Sequence, residues 1–198
     1  MTLSAIVTVP AGLASADFTA PIAGEPALVR AVRAVRGVAP VSVLAPEELA
    51  GATAECLAAH GLTDVPVLAA LVPPGDRDGV LLHDVRYPLA PADLAARVAA
   101  GLAHNDVVIP ILPMTDSVKS VAAHGIVLGN VDRSELVTAQ YPRGFSATAL
   151  AELPQADDLA ALKSSGLKVA TVDGDPNAFA VDLARDRALL EAIVSAER

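Results

Sequence analysis

The chain has 198 residues, 53% hydrophobic and 19% charged, which is the size of one ordinary domain and excludes intrinsic disorder. Its formal charge of -9 argues against nucleic acid as a partner. With one cysteine, no basic leader and no apolar run of the ~18 residues a membrane span needs, it reads as a cytoplasmic protein with no disulfide, thiolate metal cluster or membrane partner.

There is no Trp, with three Phe and two Tyr, so the core must come from Ala, Val and Leu. The first strand, Ser4–Val9, is apolar and β-branched and ends at Pro10-Ala11-Gly12; a small-residue loop is expected from there to Gly24. Pro26 opens a helix through Arg36 that Gly37 closes, with proline at the start and glycine just past the end. Val41–Leu44 is a second buried strand, and Pro46 starts a helix through His60 that ends at Gly61. Cys56 lies in that helix's apolar stripe and reads as a buried small hydrophobe. Val65–Val72 is a third strand-like run and Pro73–Asp76 a turn. Val80–Leu82 is a fourth strand ending at His83-Asp84, followed by a helix from Pro91 to Leu102 and a strand from Val107 to Leu112. Apolar strands alternating with helices predict an α/β fold: a parallel sheet covered on both faces.

The rhythm changes after Pro113. Ser117–Val121 and Ile126–Asn130 form two short β-like runs around a glycine-ending connection, which predicts a hairpin arm at about 117–131. A lone hairpin cannot bury a face and is expected to clasp another subunit. Helical patterns return at Ser146–Glu152, Asp157–Ser165 and Ala184–Ala196, with a strand at Lys168–Val172. Neither a repeat nor a domain linker is visible, so residues 1–198 read as a single domain.

Ligands of doubly wound sheets bind beyond the carboxyl ends of the strands. That points to the loop after the first strand, to His83–Pro88 and to Pro113–Lys119. Asp84 comes directly off a buried strand, placed either to hold a divalent cation against phosphate oxygens or simply to turn the chain. Arg86 can meet a phosphate or remain a surface residue. Arg30, Arg33 and Arg36 make a basic helix edge, either solvated or open to an acidic partner. The four histidines lack ligand spacing, so no zinc site is expected; His124 falls at the arm tip and should be exposed. Asp173-Gly174-Asp175-Pro176 reads as a turn rather than a metal loop.

In chain order these segments stop being generic. Leu81-Leu82-His83-Asp84-Val85-Arg86-Tyr87-Pro88 resembles the strand and "HDAARP"-type loop of the methylerythritol phosphate cytidylyltransferases of non-mevalonate isoprenoid biosynthesis. Pro113-Met114-Thr115-Asp116-Ser117-Val118-Lys119 resembles that family's "P-x-x-D-T-x-K", and Ile126–Phe145 is similar to its "VDR…TPQxF" segment. The resemblance spans roughly residues 4–196. It implies a three-layer Rossmann-like nucleotidyltransferase fold, mostly parallel, with a projecting hairpin arm. It also implies transfer of a cytidylyl group from CTP to the phosphate of 2-C-methyl-D-erythritol 4-phosphate, with Mg2+ and release of pyrophosphate, in a homodimer joined through the arms that binds a nucleotide or a sugar or polyol phosphate. By position, Asp84 is implied as the acid near metal and nucleotide, with Pro10, Ala11 and Gly12 on the nucleotide. Lys119 is implied at the root of the arm among the catalytic groups, and Arg86, Ser117 and Arg133 on the substrate.

The departures from the family lie at ligand positions. No Lys or Arg precedes Arg30, and Phe18 stands where the family has a triphosphate-binding lysine, while Asp17 and Glu25 add negative charge. A base-reading segment is shortened before Pro73–Asp78. Tyr87, Tyr141 and Ala156 replace family ligands, and Ala178–Asp182 lacks the substrate lysine. Two functions therefore stand side by side: a working cytidylyltransferase, and a catalytically inactive homologue acting as a dimeric binding or regulatory partner.

Overall fold

The computed structural model describes residues 1–71, 75–134, 136–152, 162 and 164–196. In chain order, β1 (Leu3–Thr8) leads to α1 (Ser15–Thr19), a two-rung ladder of β2 (Pro21–Ile22) and β3 (Glu25–Pro26), and α2 (Ala27–Arg36). Then come β4 (Val41–Leu44), α3 (Glu47–Ala59), β5 (Val67–Leu68), β6 (Gly79–Asp84), α4 (Ala92–Gly101) and β7 (Val107–Pro113). β8 (Val118–Val121) and β9 (Val127–Val131) follow, then β10 (Val137–Ala139), β11 (Arg143–Ser146) and α5 (Ala147–Glu152). β12 (Val169–Asp173) and α6 (Arg187–Ala196) complete the described elements.

The main sheet runs β10-β7-β11-β6-β1-β4-β5, with β12 along the other edge of β7. Its β1·β4, β1·β6, β4·β5 and β7·β12 pairs are parallel, as the alternating apolar strands predict. The sheet is mostly rather than wholly parallel, as the family resemblance implies: β10 pairs antiparallel with β7, and β11 with β6 and β7. β11 reads Arg-Gly-Phe-Ser, and only Phe145 carries an apolar signal. What admits the strand is Gly144: a Cβ there would lie 2.8 Å from Leu102 and 2.9 Å from Val98, so only glycine lets this backbone pass under α4.

The period of two along each strand sorts its side chains into opposite faces. Ala5, Val7, Leu81 and Val108 join the core with α1 to α4 and α6, while Ile6, Val80, Leu82, Val107 and Ile109 join a second cluster around Phe145 and Ala149. The result is three layers, helix–sheet–helix. Each fully buried Leu, Val or Phe contributes roughly 1.5–3 kcal/mol over its exposed state, so both layers are strongly held.

Three further expectations are adjusted. The loop expected up to Gly24 contains α1, whose Phe18 is fully buried, and the β2–β3 ladder. The run Val65–Val72 pairs only at Val67 and Leu68, as a short edge strand; Val72 and the Pro73-Pro74 half of the turn lie outside the described residues. The last helix starts at Arg187 because Asp182 and Asp186 bind main-chain amides just ahead of it. Most of Asp157–Ser165, with Ala156, falls outside the described residues. β8 and β9 form their own two-stranded sheet, joined by a turn at Ala123–Gly125, with His124 exposed at its tip.

Candidate functional site

At the carboxyl edge of the sheet, β1 and β6 end in register, Thr8 opposite Asp84. Val85 N donates to Thr8 O at 3.1 Å and the Thr8 hydroxyl donates to His83 O at 3.1 Å, which fixes the two strand ends together. The chain then leaves β1 through half-buried Pro10 and the exposed turn residues Ala11 and Gly12, Gly12 taking φ +88°. Asp17 caps α1 through the Ala14 amide at 2.8 Å, so the acid that the sequence places in this loop has a structural partner.

Asp84 is nearly fully buried and its carboxylate is filled from within the same loop. One oxygen accepts from the Arg86 amide at 2.8 Å and from Arg86 Nε at 3.0 Å; the other accepts from Nη2 at 2.5 Å and Nε at 3.2 Å. This fork holds the guanidinium above its ordinary pKa, chiefly through the bonds to Asp84. The fit to magnesium is therefore poor: both oxygens of Asp84 are engaged, and no group of three or more His, Cys, Asp or Glu suited to a metal ion occurs among the described residues. His83, one residue earlier, is fully buried, and neither ring nitrogen has a hydrogen-bond partner among the described residues. Burial pushes its pKa down to about 4, against the opposing pull of Asp84 and of the nearby Tyr87 main chain.

Beside this pair lies an aromatic group that the sequence reading did not assemble. The rings of Tyr87 and Tyr141 sit 5.1 Å apart, and the Arg143 guanidinium stacks 4.3 Å over Tyr141. Gln140, also buried, accepts from the Asp175 amide and donates to the Asp175 carbonyl, both at 2.8 Å. Its side chain fills the space over Gly174, where a Cβ would lie 2.2 Å from Oε1. The Asp173–Pro176 segment is thus a braced turn, as its residue types suggest. The unusual burial of Gln140 and Arg143 has no local sequence signature.

The other candidates gather at the root of the arm. Ser117, Lys119 and Arg133 line one concavity of about 240 Å3 together with Asn130 and Asp132. Lys119 donates to Asn130 across the β8–β9 ladder, and Arg133 donates to the Thr115 carbonyl. Ser134 amide bonding holds Asp132 below the usual carboxylate range. The structure therefore joins Asp84 with Arg86, and Ser117 with Lys119 and Arg133, as two groups; neither Asp84 nor Arg86 lines the arm concavity. The basic helix edge is neutralised in part: Arg33 pairs with Glu25, and Arg36 with Asp64 at 2.8 Å.

A mixed, mostly parallel sheet between helix layers, with Asp84 at its carboxyl edge and a separate hairpin, defines the class as a three-layer α/β protein. The structure is similar over 98% of its length to a 4-diphosphocytidyl-2C-methyl-D-erythritol synthase from Anaerococcus prevotii, covering 96% of that chain (TM-score 0.75, 19% identity). It is likewise similar to the 2-C-methyl-D-erythritol 4-phosphate cytidylyltransferase from Thermus thermophilus, covering 98% of this chain and all of that one (TM-score 0.72, 24% identity).

In sequence, residues 20–196 match the 2-C-methyl-D-erythritol 4-phosphate cytidylyltransferase (IspD) family, and the chain belongs to it. It is 37% identical to the cytidylyltransferase of Rhodococcus opacus over 78% of this chain and 74% of that protein. It is 44% identical to a bifunctional IspD/IspF enzyme of Clavibacter michiganensis over 65% of this chain, spanning 32% of that longer protein.

Proposed function

We propose that this chain is a non-catalytic, cytoplasmic member of the family: a homodimer joined through the β8–β9 arms that binds a nucleotide or a sugar or polyol phosphate without efficient cytidylyl transfer. The observation that carries this reading is the closed Asp84–Arg86 fork. In-line transfer from a triphosphate depends on cations placed where phosphate charge develops. The chain has no Lys or Arg before Arg30, Phe18 is turned into the core, and a magnesium ion at Asp84 would have to displace a bidentate guanidinium. Loss of one such preorganised donor costs about 3–4 kcal/mol of barrier lowering. A first loop without any cation and an occupied acid leave a deficit that the exposed turn at Ala11 and Gly12 has little means to offset. For the arm, the support is its apolar surface: Ile126, Val127 and Leu128 are each more than half exposed, and an isolated hairpin is marginal in water.

A second reading, the working cytidylyltransferase, is favoured by the retained Asp84 and by the grouping of Ser117, Lys119 and Arg133 at the arm root. In it, CTP and Mg2+ would lie between Pro10–Gly12 and Asp84, and Arg86, Ser117 and Arg133 would face the substrate phosphate. Pyrophosphate release from CTP, Mg2+ and 2-C-methyl-D-erythritol 4-phosphate separates the two. We expect the rate without protein. Turnover that disappears in Asp84→Ala would establish the enzyme instead.

A further inference from the structure

We infer that the cleft between α2 and residues 88–92 is a binding site for a small phosphate, distinct from the arm concavity and independent of the function proposed above. The cleft measures about 260 Å3 and is lined by Glu25, Arg30, Arg33, Pro88 and Ala92, among others. Its chemistry is set by a charge imbalance, because two guanidiniums share one carboxylate. Glu25 accepts a hydrogen bond from Arg33, while its second oxygen stays 3.9 Å from Arg30 Nε, outside hydrogen-bond reach.

Arg30 is held by main-chain carbonyls instead. Its Nε donates to Glu25 O at 3.4 Å and its Nη2 to Ile22 O at 3.3 Å, two of the five donors a guanidinium carries. The Arg30 side chain is only 17% exposed, so its charge is poorly served by water, and the cleft carries a net charge of +1 in a chain of net -9. A carboxylate already occupies one side of this cleft. A phosphate dianion, with more charge and more acceptor oxygens, can bridge both forks. The neighbouring acid Asp93 is paired with Arg97 at 2.5 Å and does not cancel the excess.

The test is an amide NMR titration of the full chain with inorganic phosphate, and in parallel with glycerol phosphate, at constant ionic strength. Saturable shifts at Arg30, Arg33 and Ala92 are expected. Arg33→Ala should weaken binding about fivefold or more, and Glu25→Gln should tighten it by a comparable factor, because one removes a donor and the other a competing carboxylate. Arg33 is 55% exposed, so its truncation should leave the amide spectrum folded. Tighter binding of glycerol phosphate would assign the site to phosphate monoesters, and equal binding to free phosphate; both support it. Shifts that do not saturate, that map to the arm, or that respond equally in all three proteins would overturn it.

Discussion

The Asp84–Arg86 fork can be measured directly by a double-mutant cycle. Wild type, Asp84→Asn, Arg86→Gln and the double variant would be unfolded in urea at pH 7. The carboxylate is buried and receives three side-chain contacts, of 2.5, 3.0 and 3.2 Å, from two donor atoms of Arg86, each donor of a kind worth roughly 1.5–3 kcal/mol when shielded. Arg86 is 44% exposed, so solvent screening removes a large part of that sum. We expect a coupling energy of about 2 kcal/mol. Arg86→Gln should be the costlier single change, since it leaves a buried carboxylate with only the main-chain amide of residue 86 as a described donor. A coupling below about 0.5 kcal/mol would mean that the guanidinium leaves Asp84 at little cost. The guanidinium would then be no barrier to a metal ion at Asp84.

Three other outcomes follow from the packing and the titrating groups. His83 is held neutral when folded, near pKa 4 against 6.5 in the unfolded chain, so the unfolded state takes up its proton first. Stability should fall between pH 6.5 and 4 by about 3 kcal/mol more in wild type than in His83→Leu, read by urea midpoints; parallel curves would contradict the assignment. Gly144→Ala forces a methyl to within 3 Å of Leu102 and Val98 and should cost about 1–3 kcal/mol, whereas Gly129→Ala meets nothing within 4 Å and should be much milder; equal melting temperatures would refute this. Leu128→Asp, on the exposed arm, should convert the proposed arm-joined dimer to monomer in sedimentation velocity, and a wild type that is already monomeric, or an unchanged sedimentation coefficient, would argue against arm-mediated assembly.

The parallel half of the sheet was legible because its strands are buried on both faces and therefore read as continuous apolar runs between helices. β10 and β11 were not. Arg143 and Gly144 are buried by contacts that residue type does not announce: Tyr141, two positions earlier, offers its ring face to the arginine, and the distant α4 presses on the glycine. The same holds for Gln140, whose amide braces a turn 35 residues away. At the site, residue order placed Asp84 at the end of a buried strand, but it could not show that Arg86, two positions later, folds back to fill both oxygens. That outcome depends on the turn after β6, where the Tyr87 amide bonds the Asp84 carbonyl at 3.0 Å and brings the arginine around.

The fork also gives Asp84 a structural role of its own. A carboxylate at the end of a central strand, almost sealed by β1 and the following loop, is costly to bury without a counter-charge. In a nucleotide enzyme a cation can meet part of that demand. Here the requirement is met by a side chain of the same turn, with geometry that satisfies both oxygens. With such an internal cation present, Asp84 serves the fold whether or not it serves chemistry. Removing Asp84 would then strand a guanidinium and loosen the β1–β6 edge whether or not any nucleotide binds. The decisive comparison is therefore between the fold and the ligand response of Asp84→Asn. Lost stability with unchanged CTP binding would place this residue in the architecture, and intact stability with lost binding would place it back in the site.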